Sequence, residues 1–288
     1  MDRPEAPRPS DPDPSHALDP ASFTPWNAPA AASARPRKPF GPQQGLWLIV
    51  LFMLVQVGVA TALTVSRGFL IGLVHGLRAS LAGQPVGHVL PGPPSPAAIA
   101  ASVIAAYVLA ALWCVRYVLR RAGDRLRLGT PDGIAWRPAE PGAYPMAVAL
   151  GIGTVAAAVA ILHLVPVPPE QAPHSAFQAL LMPGWMLGPS LLLLMVIAPC
   201  TEEFLFRGAA FAAFAARSGA GWATVIVTVL FVAVHAPEKI HYPPGFVDVS
   251  LMALGAAWLR LRYRSIRPAI LLHILYNVGV SGMAMLLH

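Results

Sequence analysis

Long apolar runs recur along this chain, and they constrain its fold more than any other feature. We predict about seven membrane-spanning helices from them, at residues 46–65, 97–115, 144–165, 187–216, 222–235, 247–258 and 268–287. A segment inside the hydrocarbon core of a bilayer must satisfy its own backbone hydrogen bonds, and an α-helix does so. The predicted fold class is therefore all-α, that of a polytopic integral membrane protein.

The amino-acid composition agrees with this class. Of the 288 residues, 56% are hydrophobic and only 11% are charged, which is too apolar for a typical soluble domain. A formal net charge of +7 is also typical of nucleic-acid-binding proteins, but the arginines of this chain lie at the ends of the apolar runs. We therefore attribute the charge to membrane topology and expect the lipid bilayer, and no nucleic acid, as a partner.

The basic residues also predict which helix ends face the cytoplasm. They cluster before the first run, after the second and after the sixth: Arg35, Arg37, Lys38, Arg116, Arg120, Arg121, Arg125, Arg127, Arg137, Arg260, Arg262, Arg264 and Arg267. Cytoplasmic loops of membrane proteins carry an excess of Lys and Arg. We therefore predict a multi-pass protein of the cell inner membrane whose N-terminus is cytoplasmic.

The chain divides into three predicted regions. Residues 1–44 are rich in proline and alanine without apolar periodicity, which is typical of a disordered tail. Residues 45–186 hold the N-terminal transmembrane helices and their loops. Within them, the apolar piece at 69–77 is too short to span, so it extends the first helix or lies in the interface. Residues 187–288 hold the last four predicted helices.

Three charged residues interrupt the fourth apolar run, namely Glu202, Glu203 and Arg207. A charge at bilayer depth costs ~3 kcal/mol on insertion scales, so such residues usually mark a functional site facing a polar cavity. Glu203 and Arg207 are four apart, so they share a helix face and can pair, whereas Glu202 is left free. The alternative interpretation is a structural ion pair between helices.

Two later runs also carry polar residues, His235 in the fifth run and His273 with Asn277 in the seventh. A lone histidine on an apolar helix is more often a packing residue than a catalytic one. However, Glu203 lies 16 residues before Gly219 and His235 lies 16 residues after it. At ~1.5 Å rise per residue, a hairpin at this glycine brings the two side chains to the same level.

Such a group of residues suits the hydrolysis of a carbonyl compound. A glutamate can take a proton from water, a histidine can hold that water, and a second histidine with an amide can donate to the developing oxyanion. A zinc site is an alternative arrangement, with Glu203, His235 and His273 as ligands and one open position for water. The sequence contains neither H-E-x-x-H nor G-x-S-x-G.

Three motifs in this part of the chain resemble those of a known family. Glu202-Glu203-x-x-x-Arg207, Phe231-x-x-x-His235 and His273-x-x-x-Asn277 are similar to the motifs of the CPBP intramembrane proteases, the Abi-like group of type 2 CAAX prenyl proteases and bacteriocin-processing proteins. The resemblance covers residues 187–288. It implies an all-helical endopeptidase with a catalytic core from the last four helices and a membrane-associated peptide or protein substrate, prenylated or not.

The same resemblance implies a role for each motif residue. Glu202 activates the water together with His235, while Glu203 and Arg207 brace the site. His273 and Asn277 stabilise the oxyanion. It leaves open whether the reaction needs a metal ion. Two other hypotheses use the same buried residues, a transporter with an ion path and a non-catalytic immunity or scaffold protein.

Overall fold

The structure is a computed structural model that describes residues 40–83, 93–121, 128–166 and 176–286. Ten α-helices are found in these ranges: α1 (Pro42–Leu81), α2 (Pro96–Arg121), α3 (Ala143–Leu164), α4 (Ala176–Leu181), α5 (Leu187–Leu192), α6 (Ala198–Glu203), α7 (Phe211–Val234), α8 (Ala236–Lys239), α9 (Gly245–Tyr263) and α10 (Arg267–Leu286). Two π-helical segments, Leu193–Ile197 and Phe204–Ala210, flank α6. The described residues form no strand, which confirms the all-α class.

Among the residues that the structure describes, five stretches are long and apolar enough to cross a membrane: Pro42–Leu81, Pro96–Arg120, Ala143–Leu164, Leu187–Val234 and Arg267–Leu286. The predicted count of about seven is therefore not confirmed. The stretch Leu187–Val234 contains two of the predicted helices, and α9 is excluded because Asp248, Arg260 and Arg262 lie within its 19 residues. The structure agrees with an integral membrane protein. Its apolar stretches are fewer and more unequal in length than the helices predicted from hydropathy.

The first helix is longer than the first apolar run. Helix α1 contains 40 residues and includes the apolar piece at 69–77, which therefore extends this helix. No proline interrupts the chain between Val65 and Leu81, so nothing breaks the helical hydrogen bonding. The helix begins at Pro42, and residues 1–39, most of the predicted tail, lie outside the described residues.

A sharp hairpin separates the two halves of the longest apolar stretch. Gly219, inside α7, has φ 78° and ψ 164°, a backbone conformation that glycine adopts without a Cβ clash. The chain reverses at the position that the glycine-rich sequence indicates, so the residues before and after the hairpin run side by side. This reversal places the motif of α6 opposite the end of α7.

Small residues allow the late helices to pack closely. Helix α10 contacts both α3 and α9, while α1 contacts α2. A Cβ atom on Gly279 would lie 2.4 Å from Val155 Cγ2, and one on Gly151 would lie 2.9 Å from Leu275 Cβ. Helices in a membrane associate through such close backbone approach, because lipid supplies no hydrophobic force between them.

The hairpin extends beyond the turn between α9 and α10. Arg260 Nε donates to the backbone carbonyl of Arg207 at 3.0 Å, which sets residue 207 level with residue 260, close to the end of α9. From there the chain continues twelve residues to Gly219, a length of ~18 Å as helix. The loop before α3 packs on the same region, because Ile134 is buried against Gly208.

Candidate active site

The structure brings the motif residues of three separate helices to one cavity. Glu202 and Glu203 end α6, His235 caps α7, and His273 and Asn277 lie one turn apart on α10. The cavity has a volume of about 310 Å³, and Glu202, His235, His273 and Asn277 line it. The hairpin at Gly219 and the packing of α10 on the helix of Glu202 bring together residues that are up to 75 positions apart in the sequence.

Glu203 and Arg207 form a buried group behind the cavity. Both side chains are 0% exposed, and Arg207 Nη1 donates to Glu203 Oε1 at 3.0 Å. Arg207 Nη2 donates to the Ala253 carbonyl at 2.8 Å, and the guanidinium lies 4.4 Å from the Phe231 ring centroid. A buried charge is tolerated when it is paired and hydrogen-bonded, so this group is a brace and not a solvated ion pair.

The brace also holds one of the two histidines. His273 Nδ1 lies 2.9 Å from Glu203 Oε1, the oxygen that also accepts from Arg207. A carboxylate only accepts hydrogen bonds, so we assign the ring hydrogen of this contact to Nδ1. The Nε2 atom of His273 is then free to face the cavity. A carboxylate that orients an imidazole in this way resembles the arrangement in hydrolytic triads.

The other histidine is oriented by its own helix. His235 Nδ1 lies 2.8 Å from the Phe231 carbonyl oxygen, which can only accept, so Nδ1 carries the hydrogen. The ring also packs at 4.5 Å between centroids on Phe231, which in turn contacts His273 and Arg207. One buried phenylalanine therefore packs against three residues of the site.

Glu202 lies between the two imidazoles. Its Oε2 atom is 4.0 Å from His235 Nε2 and 3.8 Å from His273 Nε2. Both distances exceed a direct hydrogen bond, so a water molecule that donates to Glu202 Oε2 and to one imidazole Nε2 can bridge the two. The Glu202 side chain is 14% exposed, whereas Glu203 is fully buried. The two neighbouring carboxylates thus have different environments, one facing the cavity and one closed behind it.

Asn277 is hydrogen-bonded to a backbone carbonyl group that lacks a donor within its own helix. Its Nδ2 atom donates to the Leu194 carbonyl at 2.7 Å. Leu194 lies in the first π-helical segment, where the Ala198 N–H bonds to the Leu193 carbonyl. The next donor in this pattern would be residue 199, which is proline and has no N–H. Pro199 therefore leaves an acceptor that Asn277 uses, and the second Nδ2 hydrogen remains for the cavity.

One residue of the site does not belong to any of the sequence motifs. Tyr107, on α2, donates from its hydroxyl to Glu202 Oε1 at 3.0 Å and lies 3.4 Å from the Ala198 carbonyl oxygen. Its signal in the sequence is a hydroxyl inside an apolar run, because a buried tyrosine hydroxyl usually finds a partner. The partner itself could not be read from the sequence, since it is 95 residues away.

The cavity extends along the helices, and away from these groups its lining is mostly apolar but also includes Gln56, Glu238, Lys239 and Tyr276. Side chains that line it include Phe52, Phe177, Leu180, Val249, Met252 and Val280. On α10 the lining runs from His273 to Ser281, ~9 to ~21 Å from the start of that helix. On α10, His273 thus lies at the end of the lining nearer the arginine-rich turn.

Glu203, His235 and His273 are the predicted zinc ligands, but in the structure Glu203 does not face the two Nε2 atoms. Glu203 Oε1 is engaged by Arg207 and His273 Nδ1, so Glu202 is the carboxylate that faces both Nε2 atoms. Donors around tetrahedral zinc lie ~3.4 Å apart at bond lengths of ~2.0–2.1 Å, and the separations here are 3.8 and 4.0 Å. Over the described ranges, no group of three His, Cys, Asp or Glu residues is placed to hold a metal ion.

Comparison with known proteins yields one match. Residues 183–279 match the family model described as "Type II CAAX prenyl endopeptidase Rce1-like". No curated protein and no solved structure matches the chain. The matched range includes all three motifs but not Tyr107.

The match agrees with the fold and the motifs. Over residues 183–279, the match supports at the level of the family a CAAX-type intramembrane endopeptidase, a protease hydrolase with a membrane-associated protein substrate. Its helices that are long and apolar enough to cross a membrane agree with an integral membrane protein. Residues 183–279 are therefore a Rce1-like domain, which confirms the CPBP intramembrane protease family that the three motifs indicated.

Proposed function

We propose that this protein hydrolyses a peptide bond of a membrane-associated substrate with a water molecule activated by Glu202. The observation that carries the proposal is the position of Glu202 Oε2, which faces His235 Nε2 and His273 Nε2 at 4.0 and 3.8 Å across a cavity. A general base must lie within reach of the proton that it removes, directly or through one water. Glu202 satisfies this requirement for a water held between the imidazoles.

The first step forms the new carbon–oxygen bond. Glu202 takes one proton from the water at Oε2, and the hydroxide oxygen adds to the carbonyl carbon of the peptide. His235, neutral and with its proton on Nδ1, accepts the other hydrogen of the water at Nε2 and so orients it. The hydrogen bond from His235 to the Phe231 carbonyl keeps this ring in place during the reaction.

The resulting oxyanion requires donors. Asn277 has one Nδ2 hydrogen bound to the Leu194 carbonyl and a second one for the substrate. In its protonated form His273 donates from Nε2, while its Nδ1 keeps the hydrogen bond to Glu203. Preorganised donors of this kind stabilise the transition state more than the ground state. Collapse of the intermediate transfers the proton from Glu202 to the leaving amine and releases a carboxylic acid and an amine.

The apolar cavity favours a hydrophobic segment as substrate. Most of its lining away from the site residues consists of aromatic and aliphatic side chains, which suit either a prenyl chain or hydrophobic residues of a peptide. We propose a CAAX-like or other membrane-associated peptide or protein, prenylated or not, at the cell inner membrane. Two synthetic substrates that differ only in a prenyl group on one cysteine would separate these cases by their KM values.

Zinc dependence stays a prediction. With the Nδ1 hydrogens of His235 and His273 directed away from the cavity, their Nε2 atoms and Glu202 are the donors that a zinc ion would need to draw together. A bound zinc would polarise water as a Lewis acid. Metal analysis of the purified protein tests this prediction: about one zinc per chain, lost in His235→Ala, supports it, and full activity after chelation excludes it.

The experiment that tests the proposed function is cleavage of a fluorogenic membrane-anchored peptide by the purified protein in liposomes. We expect Glu202→Gln to lower kcat at least ~10³-fold, because the base is removed. His235→Gln should lower it ~10²-fold or more, since the water loses one partner. Mass spectrometry of the products identifies an internal peptide bond as the one cleaved.

Glu140→Gln is the matched control, because Glu140 is 58% exposed and pairs with Arg262 at 3.5 Å, away from the cavity. It should cleave at the wild-type rate. Cleavage by Glu202→Gln at the rate of this control would refute the proposal. Transport of a solute without any cleavage would favour the carrier hypothesis, and neither activity would favour the scaffold.

A further inference from the structure

We propose that Tyr107 is a positioning residue for the proposed reaction, on which this inference rests. Its hydroxyl occupies one oxygen of Glu202, so that the other oxygen is the one that takes the proton of the water. Tyr107 lies on α2, whereas the Rce1-like domain begins at residue 183. The site therefore depends on a helix outside the segment that defines the family.

The hydrogen of the Tyr107 hydroxyl goes to the carboxylate. The hydroxyl oxygen lies 3.0 Å from Glu202 Oε1 and 3.4 Å from the Ala198 carbonyl oxygen. A tyrosine hydroxyl has one hydrogen to donate, and an ionised carboxylate is the stronger acceptor. The shorter distance agrees with this choice. Oε1 is thus occupied, and Oε2 faces the imidazoles of His235 and His273.

Within the described ranges, the Tyr107 hydroxyl is the side-chain group that donates a hydrogen bond to Glu202. Arg207 binds the other glutamate, Glu203. Neither imidazole comes closer than 3.8 Å to Glu202. The last side-chain torsion of a glutamate is broad and roughly two-fold. Without the hydroxyl, the carboxylate could turn and exchange the roles of its two oxygens, and the productive orientation would lose population.

The tyrosine ring itself is fixed. It is only 8% exposed and meets Phe52 of α1 edge to face, with centroids 5.4 Å apart and an interplanar angle of 89°. An edge-to-face pair restrains both position and tilt of the ring. The hydroxyl is therefore presented by two N-terminal helices, α1 and α2, at a set distance from the end of α6. These restraints pre-organise the Tyr107 hydroxyl for its contact with Glu202.

Tyr107→Phe tests the inference, because it removes the hydroxyl and keeps the ring against Phe52. We expect kcat to fall about 10- to 100-fold, the range of one hydrogen bond to a charged group, while KM changes less than about two-fold. Tyr144→Phe on α3 is the matched control and should leave kcat unchanged. Thermal unfolding of both variants reports whether the fold is intact.

A double-mutant cycle with Glu202→Asp distinguishes positioning from an independent role. The aspartate is one methylene shorter and withdraws its carboxylate from the hydroxyl. Tyr107→Phe should then cause no further loss of kcat, whereas losses that multiply would show that the hydroxyl acts elsewhere and would overturn the inference. The cycle measures the effect of Tyr107→Phe in two backgrounds, with Glu202 and with Glu202→Asp, so an effect of this substitution on stability alone would appear in both.

Two outcomes separate this inference from the proposed function. If Glu202→Gln abolishes cleavage but Tyr107→Phe keeps the wild-type kcat, only the role of Tyr107 is refuted. If Glu202→Gln keeps cleaving, the proposed function fails first, and the inference fails with it.

Discussion

At the scale of single residues, two adjacent glutamates have opposite surroundings. Glu203 is fully buried and shares one oxygen between Arg207 and His273, while its Oε2 has no hydrogen-bond partner among the described side chains and backbone. Glu202 faces the cavity and contacts Tyr107. Burial with a paired cation is typical of a bracing role, whereas partial exposure beside two imidazoles is typical of a reacting group.

The first prediction concerns the brace. Arg207→Met should lower the free energy of unfolding by about 3–5 kcal/mol, because it leaves the Glu203 carboxylate buried without its cation. Arg262→Met, which removes an exposed pair with Glu140, should cost less than about 1 kcal/mol. Chemical unfolding in detergent, followed by circular dichroism, measures both. Equal losses in the two variants would contradict the bracing role of Arg207.

The second prediction concerns the oxyanion. Asn277→Leu should lower kcat about 10²–10³-fold with little change in KM, the loss seen when one oxyanion donor is removed. Ser281→Ala, one turn further along the same cavity wall, serves as the control and should keep kcat within about two-fold. A loss confined to KM in Asn277→Leu would assign this residue to substrate binding instead.

At the scale of elements, π-helical segments on both sides of α6 shape the site. A π segment carries an extra residue per turn and often occurs at functional positions. Here the segment Leu193–Ile197 precedes a proline and presents the Leu194 carbonyl to α10, and the segment Phe204–Ala210 carries Arg207. These departures from α-helical geometry connect the helix of the glutamates to α10 and α9.

The third prediction tests the contact between α3 and α10. Gly279→Ala should destabilise the protein by about 1–3 kcal/mol, because the new Cβ would lie 2.4 Å from Val155 Cγ2. Val155→Ala in the same chain should recover part of this loss. Gly282→Ala is the control on the same helix, since its Cβ would meet nothing within 4 Å. A loss in Gly282→Ala as large as in Gly279→Ala would show that helix propensity, not packing, causes the effect.

At the scale of the whole molecule, the arginine-rich turn between α9 and α10 marks one side of the bundle, and His273 lies ~9 Å along α10 from that turn. The hairpin at Gly219 projects on this side, beyond the turn between α9 and α10. The cytoplasmic orientation of the N-terminus is a prediction from the positive-inside rule. It places the glutamates and histidines in the cytoplasmic half of the bilayer.

The fourth prediction tests that orientation by cysteine labelling. In a chain with Cys114 and Cys200 replaced by alanine, Ser218→Cys beside the hairpin should react with a membrane-impermeant maleimide only after the cells are opened. Ser80→Cys, near the end of α1, should react in intact cells. Both serines are exposed, so the two sites are matched. The reverse pattern would invert the orientation.

The sequence by itself determined the class of protein, the hairpin and the motif residues. Apolar runs of spanning length have few alternatives to a helix in lipid, and Gly219 lies where a glycine-rich stretch interrupts two such runs. Charges inside these runs are costly, so Glu202, Arg207 and the two histidines stand out from the amino-acid pattern alone. The pairing of Glu203 with Arg207 also follows from local spacing, because residues four apart share a helix face.

Only the tertiary structure decided which groups meet across helices. Hydropathy does not detect that Asp248 and Arg260 of α9 are buried and bonded to other segments. The partner of Tyr107 and the carbonyl that holds Asn277 depend on how α2 and α10 pack against the helix of Glu202, at separations of 95 and 83 residues. Such contacts are set by the packing of whole helices, and no local pattern in the sequence encodes them.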